Sequence, residues 1–269
     1  MGENRMGDIA VAQFAPGEDK NANLAALREL AEEAAGRGAR VVVAPEYAMY
    51  TAPAMDRRFV DSAEPLDGPY ATGLRELAAQ LGVHLVAGMN EQRDGSTIFN
   101  TLVAADPAGD ITALYRKLHL YDAFGFTESS IVHPGTVEAP MTFEADGLVF
   151  GMQTCYDLRF PEVTRRLVDA GADVVLVPAE WVPGPLKEDH FVTLLRARAI
   201  ENTVYVAAAD QCAPTGAGNS MIIDPMGVVL ASLGERTGTA VATAERDRMA
   251  AVRKVNPALG LRRFTVTGR

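Results

Sequence analysis

Cysteine is almost absent: Cys155 and Cys212 are the only two in 269 residues, and neither sits in a C-x-x-C pair. That excludes a disulfide scaffold and fits free thiols in a reducing, cytoplasmic setting. No apolar run approaches the length of a membrane span. The polar start, Met1 to Asp8, lacks the apolar core of a secretory signal. Met6 stands where a myristoylation motif needs Ser or Thr. Basic residues are outnumbered, 25 against 35 acidic. The net charge of −10 argues against a nucleic-acid surface or a polybasic membrane patch. The four histidines show no metal-ligand spacing, so no metal site is expected. There is no G-x-S-x-G, no P-loop and no Rossmann fingerprint. The glycine-rich Thr215 to Ser220 precedes a strand and not a helix, which is wrong for cradling phosphate.

What is present is an ordinary globular composition, 48% hydrophobic and 22% charged. The length suits one α/β domain over residues 1–269, with a core of about 8–245 and a basic, less regular tail of about 246–269. Ile9 to Phe14 reads as a strand. Asn23 is a candidate cap for a helix whose apolar stripe includes Leu24, Leu27, Leu30 and Ala34, closed by Gly36 and Gly38. Val41 to Pro45 is a continuous apolar strand of the kind buried on both faces. Further helices are expected over Tyr70 to Leu81, Pro161 to Ala170 and Lys187 to Glu201. Strands are expected over Val83 to Met89, Thr97 to Ala105, Ile111 to Tyr115, Leu148 to Met152, Ala172 to Pro178 and Val204 to Ala209. Three short ones follow, at Met221 to Asp224, Val228 to Leu230 and Thr239 to Ala242.

Gly38-Ala-Arg-Val-Val-Val-Ala-Pro-Glu46-Tyr47 is echoed by Gly171-Ala-Asp-Val-Val-Leu-Val-Pro-Ala-Glu180-Trp181. Each is a helix end, an apolar strand, a proline, a glutamate and an aromatic. Two similar halves, stacked as two sheets with helices outside, would bury such strands on both sides. A single doubly wound sheet accommodates them too.

Cys155 stands between a strand end and a helix start. The helix field there favours the thiolate, which is the reactive form. Position alone leaves two readings, a nucleophile or a small buried hydrophobe. Glu46 follows a buried strand and a proline, which puts its carboxylate at the strand's C-terminal end, where α/β sheets place their sites. There a partly buried glutamate can serve as a general base; a rim carboxylate paired with a lysine is the other reading. Glu180 in the echoed position competes for the part, and the residues leave a histidine base equally open. Lys117 alternates in phase with Tyr115 and His119, so the three are expected on one face, and an inward lysine needs an anion to meet. An edge lysine that discourages sheet pairing and a satisfied core histidine are the other readings of Lys117 and His119. Glu128, in a polar loop, reads by default as solvated.

Four motifs then stand in order: Pro45-Glu46-Tyr47; Tyr115-Arg-Lys117-Leu-His119-Leu-Tyr-Asp122; Cys155-Tyr-Asp-Leu-Arg-Phe-Pro-Glu162; and His190 with Leu194-Leu-Arg-Ala-Arg-Ala-Ile-Glu201-Asn202. In these, over about Ile9 to Gly234, the chain resembles the nitrilase superfamily, the carbon–nitrogen hydrolases. The resemblance implies a four-layer αββα sandwich with two central mixed sheets, a homodimer or higher homo-oligomer, and a Glu-Lys-Cys triad without metal or cofactor. Carried over, Glu46 is the base, Lys117 the transition-state stabiliser, Cys155 the nucleophile and Glu128 an accessory glutamate. The backbone N–H of Tyr156 would join Lys117 at the oxyanion.

The wording after the cysteine is similar to the Nit-like ω-amidase branch, whose substrates are small carboxylate-bearing amides. An N-carbamoyl amine or a nitrile as substrate, or a non-catalytic partner-binding role, are the alternatives. Around the pocket, Arg159, Tyr47, Glu180 and Trp181 are the expected substrate-binding residues. Arg159 reads either as a clamp for a substrate carboxylate or as an ion-pair partner of Glu162 or Asp157. Arg196, Arg198 and Glu201 read as a structural ion network.

Overall fold

The computed structural model describes residues 6–268. The first five residues of the polar start read above, like Arg269, lie outside the described residues. The strands are β1 (Met6–Gln13), β2 (Val41–Val43), β3 (His84–Gln92), β4 (Ile98–Ala105), β5 (Ile111–Arg116), β6 (Thr142–Ala145), β7 (Leu148–Met152), β8 (Val174–Ala179), β9 (Tyr205–Asp210), β10 (Met221–Ile223), β11 (Val229–Ser232) and β12 (Gly238–Glu245). The helices are α1 (Lys20–Gly36), α2 (Arg57–Ser62), α3 (Pro69–Leu81), α4 (Pro161–Asp169), α5 (Lys187–Asn202) and α6 (Arg246–Val255). None of them is long and apolar enough to cross a membrane.

Six strands form one sheet in the order β12-β1-β2-β3-β4-β5, and six form the other in the order β11-β10-β9-β8-β7-β6. In the first, β1, β2 and β3 run parallel, and β4, β5 and β12 are added antiparallel. The second repeats this: β7, β8 and β9 are parallel, and β10, β11 and β6 are antiparallel additions. The echo in the sequence therefore marks equivalent central strands, β2 and β8, of two like halves.

Alternation explains why these strands read as unbroken apolar runs. In β1 and β2, Ile9, Val11, Val41 and Val43 point between the sheets, where they meet Val174, Leu176, Tyr205 and Ala207 of the second sheet. Their neighbours Ala10, Ala12 and Val42 point outward beneath α1 and α3. Val175, Val177, Val206 and Ala208 do the same beneath α4 and α5. Strands covered on both faces keep no polar side, so the sequence shows no period of two. The result is the expected αββα sandwich.

Local expectations needed correction. Asp19, not Asn23, caps α1, accepting from Asn21 N and Ala22 N. Asn23 lies inside the helix, where its amide bonds Gly17 and Met49 carbonyls and ties the helix to the loop after β2. Short α2 and β6 escaped the periodicity reading, as short elements do. So did α6, which gives the start of the expected irregular tail a regular helix.

Candidate active site

β2 delivers Pro45 and Glu46, and Tyr47 turns the chain with φ of 53°, an uncommon left-handed conformation for a side chain of its size. The turn lies flat on β3 at Gly88. A Cβ on Gly88 would stand 2.5 Å from the Tyr47 nitrogen and 2.8 Å from the Glu46 Cα. Glycine there is what admits the turn. Lys117 follows the last residue of β5; its N–H donates to the Asn100 carbonyl at 2.9 Å, and its own carbonyl accepts from Gly135 at 2.9 Å. Both sides of the peptide are thus fixed, and the side chain turns inward.

Glu46, Lys117 and Glu128 are 1%, 2% and 4% exposed, so their charges must be settled within the protein. Lys117 Nζ donates to Glu46 Oε1 at 2.8 Å and lies 2.9 Å from Glu128 Oε2. Asn100 Nδ2 donates to both carboxylates, at 2.6 Å and 3.1 Å. The backbone N–H of Glu180 donates to Glu46 Oε2 at 2.7 Å, and the Tyr47 hydroxyl to Glu128 Oε1 at 2.7 Å. Burial works against the Lys117 ammonium, but Glu128 and Glu46 outweigh it and hold its pKa well above the usual lysine value. Burial likewise opposes ionisation of Glu128, and Lys117, the Tyr121 N–H and the Tyr47 hydroxyl reverse it, leaving its pKa below the usual value. The solvated reading of Glu128 is overturned.

Cys155 opens a 3-10 turn, Cys155–Arg159, with φ of 43°. A non-glycine residue in that conformation persists only when its surroundings over-determine it. Asp157 supplies much of the restraint. Its carboxylate accepts from Thr154 N (3.1 Å), the Tyr115 hydroxyl (2.6 Å), His119 N (3.0 Å) and, at 2.8 Å, faces His119 Nδ1. His119 also stacks on Phe160 at 3.7 Å between ring centres. Tyr115 and His119 therefore converge on Asp157 and not on the anions met by Lys117. The expected shared face ends with β5 at Arg116.

The expected lowered thiol pKa is also corrected. α4 begins only at Pro161, and a helix field fades within its first turn. Burial pushes the Cys155 thiol well up, the Glu46 charge adds to it, and Lys117 only partly opposes them. The thiol donates to the Glu180 carbonyl at 3.5 Å.

Glu46, Tyr47, Lys117, Glu128, Cys155 and Glu180 line one pocket. A smaller lobe shares Tyr121, Cys155, Glu180 and Val182 with it and is otherwise lined by Tyr156, Arg159, Trp181 and Lys187. The Tyr156 ring packs edge-on against Tyr121 and Phe160. Arg159 makes neither expected ion pair: a terminal nitrogen faces His190 Nδ1 at 3.5 Å and its buried Nε has no partner among the described residues. Glu180 keeps its carboxylate in the pocket wall, and burial, then Glu46, push its pKa well up. Trp181 lies under Arg159, its indole N–H donating to the Lys187 carbonyl at 2.7 Å. Arg198 does bridge Glu201 at 2.9 Å and also donates to the Leu158 carbonyl at 2.7 Å, bracing the Cys155 turn, whereas Arg196 bonds the Gly227 carbonyl at 2.9 Å.

Sequence reasoning missed Asn100, Tyr121 and Lys187 and undervalued Asp157. The Thr154-x-x-Asp157 spacing, a capping pattern, was the one available signal. Chemically, the cluster can pass a proton between thiol and carboxylate beside a fixed cation.

A family model described as carbon-nitrogen hydrolase matches residues 8–254. The chain belongs to the carbon-nitrogen hydrolase family. It is 38% identical over 258 residues to a protein of Escherichia coli O157:H7 named deaminated glutathione amidase, covering 95% of this chain and 97% of that one. It is 33% identical over 267 residues to the zebrafish (Danio rerio) protein named omega-amidase NIT2, covering 95% and 94%. Among solved structures, the C. elegans NitFhit protein superimposes with a TM-score of 0.87 at 30% identity, over 97% of this chain and 66% of that longer one. Carbon-nitrogen hydrolases named as amidases at this identity make the chain an amidase-type C–N hydrolase.

Proposed function

We propose that this chain hydrolyses the C–N bond of a small carboxylate-bearing amide, ω-amidase fashion, through a thioester on Cys155. The observation that carries the reading is the meeting of Glu46, Lys117, Glu128 and Cys155 around one pocket, with Lys117 bonded to both carboxylates. Because its pKa is raised, Cys155 rests as a thiol and needs a base at the moment of attack. Glu46 takes the proton as sulfur adds to the amide carbon. Lys117 and the Tyr156 N–H receive the oxyanion; an N–H in the first turn of a 3-10 segment has no intrahelical acceptor. Each such donor is worth on the order of 3 kcal/mol. Glu46 returns the proton to the leaving nitrogen, the C–N bond breaks, and ammonia or an amine departs. Water then loses a proton to Glu46 and attacks the thioester; the C–S bond breaks and the thiol regains its proton. Glu128 holds Lys117 in place throughout.

Arg159, which meets no carboxylate among the described residues, suits the substrate's own carboxylate, and the names of the relatives agree with such a substrate. A homodimer fits the exposed apolar residues Ile200, Met226, Val228, Leu230, Val255, Leu261 and Phe264, which sedimentation would test. The free thiols suit the cytoplasm. Ammonia release measured on succinamate, 2-oxoglutaramate, carbamoylputrescine and simple nitriles tests the substrate class. Turnover of the first two is expected; turnover confined to the others would replace it with an N-carbamoyl or nitrile substrate. Activity surviving in Cys155→Ala would remove the thioester.

A further inference from the structure

The small lobe beside Cys155 holds two cationic side chains that the reaction as written does not use together. Lys187, the first residue of α5, is 5% exposed. Its Nζ donates to the Tyr121 hydroxyl at 2.6 Å and sits over the rings of Phe124 at 4.9 Å and Trp181 at 5.5 Å. The Arg159 guanidinium sits over the same two rings, at 5.4 Å and 4.9 Å. Two like charges thus share one aromatic box. Among the described residues neither meets a carboxylate: the side-chain partner of Arg159 is a histidine and that of Lys187 a phenol. Glu180 borders the lobe without pairing with either, and its carboxyl is biased toward the neutral form by burial and by Glu46. Glu188, next along α5, is half-buried and pairs with neither cation among the described residues. Burying an ammonium beside a guanidinium is costly unless an anion arrives from outside.

We propose that Lys187 is a specificity-determining residue, which with Arg159 forms a two-cation subsite reading an anionic group on the acyl part of the substrate. The inference rests on the amidase reading and deepens it, since it names the residue beyond Arg159 that selects acyl charge. The carbonyl to be attacked lies at Cys155, at the junction of the pocket and the lobe, so the anionic end points away from the carboxylate cluster. Phe124, 63% exposed, lies against both cations. An acyl chain of a few carbons with a terminal carboxylate has the right chemistry, whereas a chain ending in an amine would face two like charges.

Two measurements test it. In the first, glutarate protects Cys155 of the whole protein from iodoacetamide, a binding readout that needs no turnover. In the second, kcat/KM is compared for succinamate and for the neutral butyramide. Lys187→Met and Lys187→Gln should weaken glutarate protection and lower the succinamate-to-butyramide preference by about tenfold to a hundredfold, through KM. Lys187→Arg should retain most of both. Glutarate failing to protect the wild-type protein, or protecting Lys187→Met equally well, overturns the subsite. If Tyr121→Phe, which removes only the bond to Nζ, reproduces the Lys187→Met loss, Lys187 merely props the wall and the proposal is wrong. Protection that depends on Lys187, with no hydrolysis of succinamate, upholds the subsite and overturns the proposed reaction instead.

Discussion

Two glutamates end equivalent strands of the two half-sheets, and they live differently. Glu46, after β2, has every carboxylate oxygen engaged: a lysine and an asparagine on one, a backbone N–H on the other. Glu180, after β8, lends its backbone to the site, and its carboxylate has no hydrogen-bond partner among the described residues. The aromatic that follows diverges as well: Tyr47 braces Glu128, whereas Trp181 lies beneath two cations. The strands themselves do not explain this, for both are central, parallel and buried on both faces. What differs is the neighbour. The β4 and β5 ends bring Asn100 and Lys117 to Glu46, and nothing cationic reaches Glu180 within ion-pair distance among the described residues. A duplicated strand end becomes a charged hydrogen-bond cluster where the adjoining hairpin delivers a cation.

The sharpest way to break that contrast is to neutralise each glutamate in turn. Glu46→Gln should lower kcat by about a thousandfold or more, the scale of a lost general base together with the disturbed lysine. Glu180→Gln should cost about tenfold at most and act chiefly on KM. Steady-state kinetics on succinamate decide it. Equal losses would mean that the two carboxylates share the proton-transfer work and that the halves are less specialised than their contacts suggest.

Removing the cation is the next largest perturbation. Lys117→Met leaves two buried carboxylates facing each other, a change worth about 3–5 kcal/mol in stability. Its pH dependence has a definite sign. With Lys117 present, the folded-state pKa of Glu128 is depressed, so its contribution is present above the ordinary glutamate value and fades as pH falls below it. Without Lys117, burial dominates and the folded pKa rises above that value. The stabilising form is then the protonated one, lost as pH rises. Urea denaturation should accordingly find Lys117→Met closer to wild type at pH 5 than at pH 8. An equal deficit at both would show that Lys117 serves packing more than charge.

How far the sequence foretold this depends on the kind of signal. The sandwich was legible because two-sided burial leaves an unbroken apolar run, as at Val41 to Val43 and Val174 to Val177. The halves were legible because Glu46 and Glu180 each follow such a run and a proline. One difference was visible too: Ala179 is an extra residue between proline and glutamate, and one added residue reverses the alternation of a strand. Lys117 and Cys155 stood out for residue type at a strand end. Glu128 did not, because a carboxylate in a polar loop looks solvated until its partners, Tyr47 and Lys117, fold over it. Asn100 and Lys187 carried no local signature, since each acquires its role from a partner distant in sequence. The direction of the thiol pKa was misread for a related reason: the helix field was local and visible, while Glu46, which pushes the other way, was remote.

Asp157 tests whether the Cys155 turn is held from outside. It joins that turn to Tyr115 and His119 on the Lys117 side, so Asp157→Asn removes charge from several hydrogen bonds at once. The expected cost is about 1.5–3 kcal/mol by thermal or urea unfolding. Tyr115→Phe, which takes away one bond, should cost about 1 kcal/mol. If both are silent, the left-handed Cys155 is maintained by its own turn and the link between the halves is incidental.

The smallest effect is also the one with opposed signs. Glu46 is proposed to activate Cys155 during attack, yet in the resting site its charge keeps the proton on sulfur. Simple alkylation by iodoacetamide needs the thiolate and gains nothing from a base tuned to an amide substrate. Glu46→Gln removes the negative charge and leaves Lys117 in place, so the thiol pKa falls toward its ordinary value. Each unit of fall raises the thiolate fraction about tenfold while pH stays below the pKa. The labelling rate of Cys155 at pH 8 should therefore rise several-fold in the variant that has lost most of its hydrolysis. Lys117→Met removes the opposing charge and should slow labelling. Were Glu46→Gln to slow both reactions together, the carboxylate would be drawing the proton off sulfur already in the resting enzyme, and the contrast between the two strand ends would rest on activation before substrate arrives.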